Sequence, residues 1–591
     1  MRNASIPCLF AVACAIAFTC AAAYSANSSL PEDAQLHAMA DEMLRSKTLV
    51  LNKLDKPYFI QYSTNDTEEI VIAASLGGIT RSTQVHVRQP DVVVRVGDYS
   101  FDNTNSIFAV RPRFGLFPLD DDYGAMRTSL WRTTDILYKT ATDQITRKRN
   151  ALREISDPDK TADFAPAKTV HIIEPVTKLD LDKQSWQEGL RNASNRFVSH
   201  PGVITSSLRI RTIGSTYRLV NSEGTTLRIP ENLSELEIRA SGRSADGKRV
   251  WNHQFLTALD PQDLPKGQLT KLADDIATQT EALVKAPQAE EYSGPVLFEG
   301  EAAAQMMAQI LTDAVTLRRK PVIPPGSNEA AVQLIESVWS SRVGSKIGPD
   351  WLTIFDDPLQ EKYRAVALAG HYSVDDEGVP AQRVELVQKG MFKGFLLSRV
   401  PIRKFSGSNG HGRLPGPFGS EEAAFGNLFV ETAHPVPETA LKARLLDKVK
   451  AAGLKYGLLM RRIDFPSTAT LGDLQSMARQ LQKNGFARTL NHPLLAYRVY
   501  ADGHEELVRG LRFGEFSAKD LRDLDSASDQ PYVFNYVNNG SSLNIADLRT
   551  DATTSSVICP SLLFESVDLS PAENEAGAPP VVPPPALMAK Q

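Results

Sequence analysis

Gly294-Pro295-Val296-Leu297-Phe298-Glu299-Gly300-Glu301-Ala302-Ala303-Ala304-Gln305-Met306-Met307-Ala308-Gln309-Ile310-Leu311-Thr312-Asp313 is the stretch on which the reading of this chain turns. The apolar run before Gly300 is short and bounded by turn formers, which predicts a strand. After Gly300 the apolar residues Ala303, Met306, Met307, Ile310, Ala314 and Leu317 recur at helical spacing, so the strand enters a helix with one stripe in a core. On its own residues this is a packing helix, and the Met pair fills space between neighbours.

Further motifs follow toward the carboxy terminus. Asp356-Asp357-Pro358 closes an apolar strand, Leu352 to Phe355, and reads as a strand-ending turn. Asp375-Asp376-Glu377-Gly378-Val379-Pro380-Ala381-Gln382 places three acids before a glycine between two strands. Hard-cation binding is one reading of them; a structural turn is the other and the favoured one. Val384 to Arg399 reads as a strand, Gly390, a second Gly394 and a further strand. Ser408-Asn409-Gly410-His411-Gly412-Arg413 is a Gly-rich loop. Ala496-Tyr497-Arg498-Val499-Tyr500, Asp502-Gly503 and Val508-Arg509-Gly510 read as closing hairpins.

Taken in order, these motifs resemble the C-terminal domain of the TldD/PmbA proteins, the metallopeptidase-like family once described as modulators of DNA gyrase. The likeness is strong from about Gly294 to Leu569 and weaker before it. It implies an α+β fold, antiparallel sheets with flanking helices, in a two-to-three-domain arrangement. In the catalytic branch of that family the helix after the Gly-Pro strand carries His-Glu-x-x-x-His. Two imidazoles bind zinc, the glutamate serves as general base on the bound water, and a Cys from the C-terminal region completes the set. Counted without gaps from Gly294, those positions are Ala308, Gln309 and Asp313 here. A methyl group cannot ligate zinc, an amide cannot take a proton at neutral pH, and one carboxylate makes no site. Cys559, beside Pro560, falls later than the family's ligand Cys. The resemblance therefore points to the motif-less branch, with no catalytic, cofactor-binding or metal-ligating residue assigned and no cofactor.

Outside this section, Glu32 to Asn52, Tyr123 to Glu154, Lys183 to Phe197 and Gln268 to Val284 carry helical periodicity. Short β runs lie between them: Tyr58 to Tyr62, Glu69 to Ser75, Gln84 to Arg88 and Asp91 to Val96, then Ile210 to Thr212, Tyr217 to Asn221, Thr225 to Ile229, Glu235 to Ala240 and Val250 to Phe255. Gly77-Gly78, Gln89-Pro90, Asn221-Ser222-Glu223-Gly224 and Ala245-Asp246-Gly247 are the turn signals. Arg147-Lys148-Arg149 reads as a solvated helix end. The division that follows is 1–25 leader, 30–110 N-terminal α+β domain, 120–287 middle domain, 291–569 C-terminal domain, and a Pro-rich tail, 570–591, too poor in apolar surface to fold.

Met1-Arg2 precedes an apolar stretch, Ile6 to Ala23, ending in Ala23-Tyr24-Ser25. Small residues at −3 and −1 after such a core read as a secretory signal peptide, so the protein is expected to be exported, periplasmic or extracellular; a retained anchor is the rival reading. Three of the 4 cysteines lie in this segment, which leaves Cys559 alone, without an intramolecular disulfide and with the character of a small buried hydrophobe. A formal charge of −5 and no basic stripe give nucleic-acid binding no support. Three functional readings stand. The first is a non-catalytic partner in a homo- or heterodimer with a related chain; the resemblance implies the heterodimer, since catalytic and motif-less chains of the family are known to pair, and a homodimeric derivative with a binding role is the alternative. The second is an active hydrolase with a relocated site built from His411, Asp313 and carboxylates such as Asp376. The third is an envelope protein that binds peptide or unfolded polypeptide without a partner enzyme. His411 itself reads as an exposed loop histidine.

Overall fold

The computed structural model describes residues 32–50, 54–109, 117–327, 336–416, 418–466, 490–538 and 552–572. The expected leader, 1–25, and the expected tail beyond residue 572 lie outside the described residues. Among the described residues no helix is long and apolar enough to cross a membrane.

The amino-terminal body is one six-stranded sheet under two pairs of helices. Its strands run in the order Gly78–Val96, Pro57–Ser75, Thr205–Asn221, Thr226–Arg243, with His171–Ile173 and Arg249–Ala258 both paired to Thr226–Arg243. Pro57–Ser75 pairs with Thr205–Asn221 from Gln61↔Asn221 to Ala74↔Leu208. The segments 30–110 and 120–287 therefore share a sheet across the expected boundary between them. Period-2 alternation explains the helices' position. Ile60, Tyr62, Val92 and Val94 face the helices Ala34–Ser46 and Tyr123–Arg153, while Ile70, Ile72, Leu208, Ile210, Leu236 and Ile238 face Lys183–Ser194 and Leu269–Lys285. The opposite parity includes a charged row, Glu69–Arg211–Glu235, beside apolar residues such as Leu219 and Leu227.

Several local expectations change. The paired short β runs merge into strands of 17 to 19 residues. Gln89-Pro90 is no turn, because Pro90 sits in register opposite Thr64 with the ladder continuing on both sides. Lys148 is not solvated: it is 1% exposed, with Nζ donating to Asp163 at 2.6 Å and to the carbonyls of Asp102 and Thr104. A basic run on a helix has an inner and an outer side, and Lys148 falls on the inner one.

The carboxy-terminal body places two sheets around the helix Glu301–Thr312. One has the order Met391–Phe392, Val384–Gln388, Leu352–Asp356, Asn427–Thr432, Thr553–Cys559, Tyr532–Asn538. The other runs Glu505–Val508, Pro493–Tyr500, Tyr456–Ile463, Tyr292–Phe298, Leu562–Pro571, Leu511–Phe513, with Leu524–Ala527 also on Leu562–Pro571. Val296, Phe298, Leu458, Met460, Leu562 and Phe564 point in toward the helix. Their neighbours Leu297, Leu459 and Leu563 point out, under the helix Glu438–Ala451. This is an α+β fold of antiparallel and mixed sheets with few helices. The strand after Gly390 is only two residues long, and the chain runs from there to Arg399 without forming the further strand expected. The last strand reaches Pro571, so Ser570 and Pro571, expected in the tail, belong to the sheet.

Candidate functional site

Gly300, at φ +45°, turns the chain from the strand Tyr292–Phe298 into the helix, and its N–H donates to Ser561 Oγ at 2.8 Å. The helix is sealed on nearly every side: Ala302, Ala303, Ala304, Met306, Met307, Ala308 and Leu311 are all at most 1% exposed. Such sealing follows from its composition, since an apolar stripe flanked by alanines fits between two sheets with no polar face to keep wet.

Each position that the resemblance marks for zinc does something else. Ala308 presents a methyl group to the same core that holds Cys559. Gln309 uses its whole amide: Nε2 donates to the Asp464 carbonyl at 3.1 Å, and Oε1 accepts from the Asn491 N–H at 3.1 Å. It thereby ties together two chain segments that leave the sheet. Asp313 caps the helix C-terminus and pairs with Arg318 at 3.1 Å, while Arg318 Nε also meets Glu422 at 2.9 Å. Cys559 is fully buried, and its Sγ donates to the Pro560 carbonyl at 3.3 Å. Burial pushes its thiol well above the usual range, which opposes the thiolate that a metal needs. A methyl, an engaged amide, a carboxylate held by arginine and a protonated thiol do not fit zinc. Among the described residues no three His, Cys, Asp or Glu side chains come together as a metal-binding group.

Polar groups missed by the sequence reading lie beside Gln309. His253, on the amino-terminal sheet and 1% exposed, meets Asp464 Oδ1 through Nε2 at 3.0 Å. Burial alone would raise the Asp464 carboxyl, but the hydrogen bond and charge of His253, aided by Arg239 and His492, hold it below its ordinary value. Arg462 reaches Asn252 and Gln254, each at 3.1 Å, and Glu301 at 3.4 Å. Where the catalytic branch would coordinate metal, this chain thus has a polar strut joining its two bodies. No local signal announced it, because His253 and Asp464 are 211 residues apart.

The residues of the relocated-site reading do not converge. His411 is buried rather than exposed: Nε2 meets Asp356 Oδ1 at 3.0 Å, and Nδ1 faces the Asn409 carbonyl at 3.0 Å. The Gly410 that precedes it explains the burial. Gly410 has φ +76°, and a Cβ there would fall 2.3 Å from the Pro380 carbonyl oxygen, so the loop folds inward against its neighbour. Asp313 is with Arg318, and Asp376 stands 3.5 Å from Arg413. Asp357 ends its strand in a turn, with Oδ1 accepting the Leu359 N–H at 3.2 Å. Asp375 is a structural acid, its oxygens accepting N–H groups of Glu377, Val379 and Gly412.

Residues 291–459 match the family pattern described as the PmbA/TldA metallopeptidase C-terminal domain. A protein named metalloprotease from Archaeoglobus fulgidus is 31% identical over 98 residues, 17% of this chain and 21% of that one. Another from Methanocaldococcus jannaschii is 29% identical over 82 residues, 14% of this chain and 17% of that one. The match thus spans about a fifth of the length of these relatives. Among solved structures, TldE from Thermococcus kodakarensis superposes with a TM-score of 0.54 at 13% identity, covering 90% of this chain and 100% of the other. A protein described as a modulator of DNA gyrase from Thermotoga maritima gives 0.52 at 13% identity, covering 86% and 96%. One described likewise from Bacteroides thetaiotaomicron gives 0.53 at 14% identity, covering 91% and 98%. At these identities the superpositions speak to the fold.

Proposed function

Because this chain belongs to the metallopeptidase-like TldD/PmbA family, we propose that it is an exported, non-catalytic member that acts as partner or peptide-binding subunit to a related chain. One observation carries the reading. The frame that would present the metal ligands, strand, Gly300 and helix, is intact, while Ala308, Gln309 and Asp313 are built into packing, a strut and a helix cap. Loss of ligands abolishes metal-assisted hydrolysis but leaves sheet surfaces and cavity walls usable for association and binding. The leader-like residues 1–25 support export.

The test is reconstitution. The mature chain is purified and mixed with an exported relative that keeps His-Glu-x-x-x-His, and both association and cleavage of an unfolded polypeptide are measured. A stable one-to-one complex whose cleavage depends on the relative's metal site supports the proposal. A chain that stays alone and cleaves by itself overturns it.

A further inference from the structure

Away from the helix, three consecutive acids are set into the joint between the two bodies. The loop Asp375–Val379 docks on the hairpin that links the strands Thr205–Asn221 and Thr226–Arg243. Tyr217 Oη donates to the Asp376 carbonyl at 3.0 Å, and a Cβ on Gly378 would stand 3.0 Å from Thr225 Cγ2. Next to it Arg399, 1% exposed, crosses from the carboxy-terminal body. Its Nε donates to the Ala165 carbonyl at 2.8 Å, its Nη2 pairs with Glu223 at 2.6 Å, and its guanidinium lies 4.0 Å above the Phe164 ring.

The carboxyls of Asp375 and Glu377 converge on Gly412. Asp375 Oδ2 accepts the Gly412 N–H at 2.9 Å, and a Cβ on Gly412 would lie 2.3 Å from Glu377 Oε2. Glu377 Oε2 also accepts the Arg399 N–H at 2.6 Å. Both acids are buried, at 1% and 4% exposure, and among the described residues neither is ion-paired with a cation of its own. Arg399 is taken by Glu223, and Arg413 by Asp376 with a hydrogen bond to Thr553. Arg95 contributes a positive charge, itself paired with Asp102, while Glu421 adds a further negative one. Tyr372, buried and near the acids, is held protonated by burial and lies over Arg413. His411 beside Gly412 is committed to Asp356.

We propose that Asp375 and Glu377, both buried against Gly412, are a proton-holding pair that makes the docking of the two bodies acid-stabilised, so that loss of their protons loosens the joint. Burial, with the neighbouring Asp375 charge, pushes Glu377 from 4.5 to about 8 against the opposing effect of Arg399. Burial, with the Asp376 charge, pushes Asp375 from 3.8 to about 7 despite its N–H bonds from Val379 and Gly412. Both values rise on folding. The pair's contribution is therefore fully present below about pH 4, declines above it, and is lost as pH climbs through 7 to 8.

Hydrogen exchange on the full chain tests this, with rates corrected for the intrinsic pH dependence. Protection of amides in 217–225, 374–379 and at Arg399 should fall about 10-fold or more between pH 6 and pH 8 and then level off, since each carboxyl that stays protonated only in the docked state costs a factor of about 10 per pH unit until its folded pKa is passed. Glu377→Gln, neutral at every pH, should flatten most of that fall, whereas Arg147→Ala, at an exposed pair away from the joint, should retain it. Infrared difference spectroscopy of the wild type supplies a readout independent of variants: a protonated-carboxyl band present at pH 6 and absent at pH 9. Unchanged protection with no such band, or a Glu377→Gln chain with the full pH response, overturns the proposal.

Discussion

The helix Glu301–Thr312 and the acid-rich joint around Asp375, Glu377 and His411 are both buried, yet they manage polarity in opposite ways. At the positions that the resemblance marks for zinc the helix carries a methyl, an engaged amide and an arginine-held carboxylate. The joint concentrates charge: His411 and Asp356 are both 0% exposed and face each other at 3.0 Å, while Asp375 and Glu377 share a neighbourhood with no cation between them. A buried charge is tolerated only where partners are fixed around it. The difference teaches that burial is reached in two ways among the described residues: by packing groups at the ligand positions of the helix, and by fixed partners around the acids and His411 at the joint.

The sharpest way to break this contrast is His411→Ala. It leaves the buried Asp356, among the described residues, with only the Gly426 N–H, at 3.0 Å, and should cost ~3 kcal/mol, read from the midpoint of urea unfolding. A loss under 1 kcal/mol would mean that the pair is not structural. Gln309→Ala comes next. It removes the strut between the Asp464 carbonyl and the Asn491 N–H and should cost ~1–3 kcal/mol while leaving metal content and cleavage unchanged. A change in activity would place Gln309 in a working site. Arg147→Ala is the baseline outside both regions. Its pair with Asp143 has side chains 60% and 59% exposed, so the effect should stay below ~0.5 kcal/mol.

Legibility in the sequence followed distance along the chain. The strand, Gly300 and the helix were readable because periodicity and turn residues act locally. The burial of His411 was not, because it depends on Asp356, 55 residues away, and on a glycine approaching Pro380. The shared amino-terminal sheet escaped notice for a like reason, as 14 consecutive register pairs join strands about 150 residues apart. Pro90 misled because a proline in a sequence signals a break, whereas a long edge strand accommodates one.

Zinc stoichiometry reads out whether the helix Glu301–Thr312 takes part in metal chemistry. The mature protein is loaded with zinc, passed through a desalting column, and assayed for bound metal and for chelator-sensitive cleavage of an unfolded polypeptide. The account predicts far less than one zinc per chain and no chelator-sensitive cleavage. One tightly held zinc per chain, released by chelator together with the activity, would contradict it.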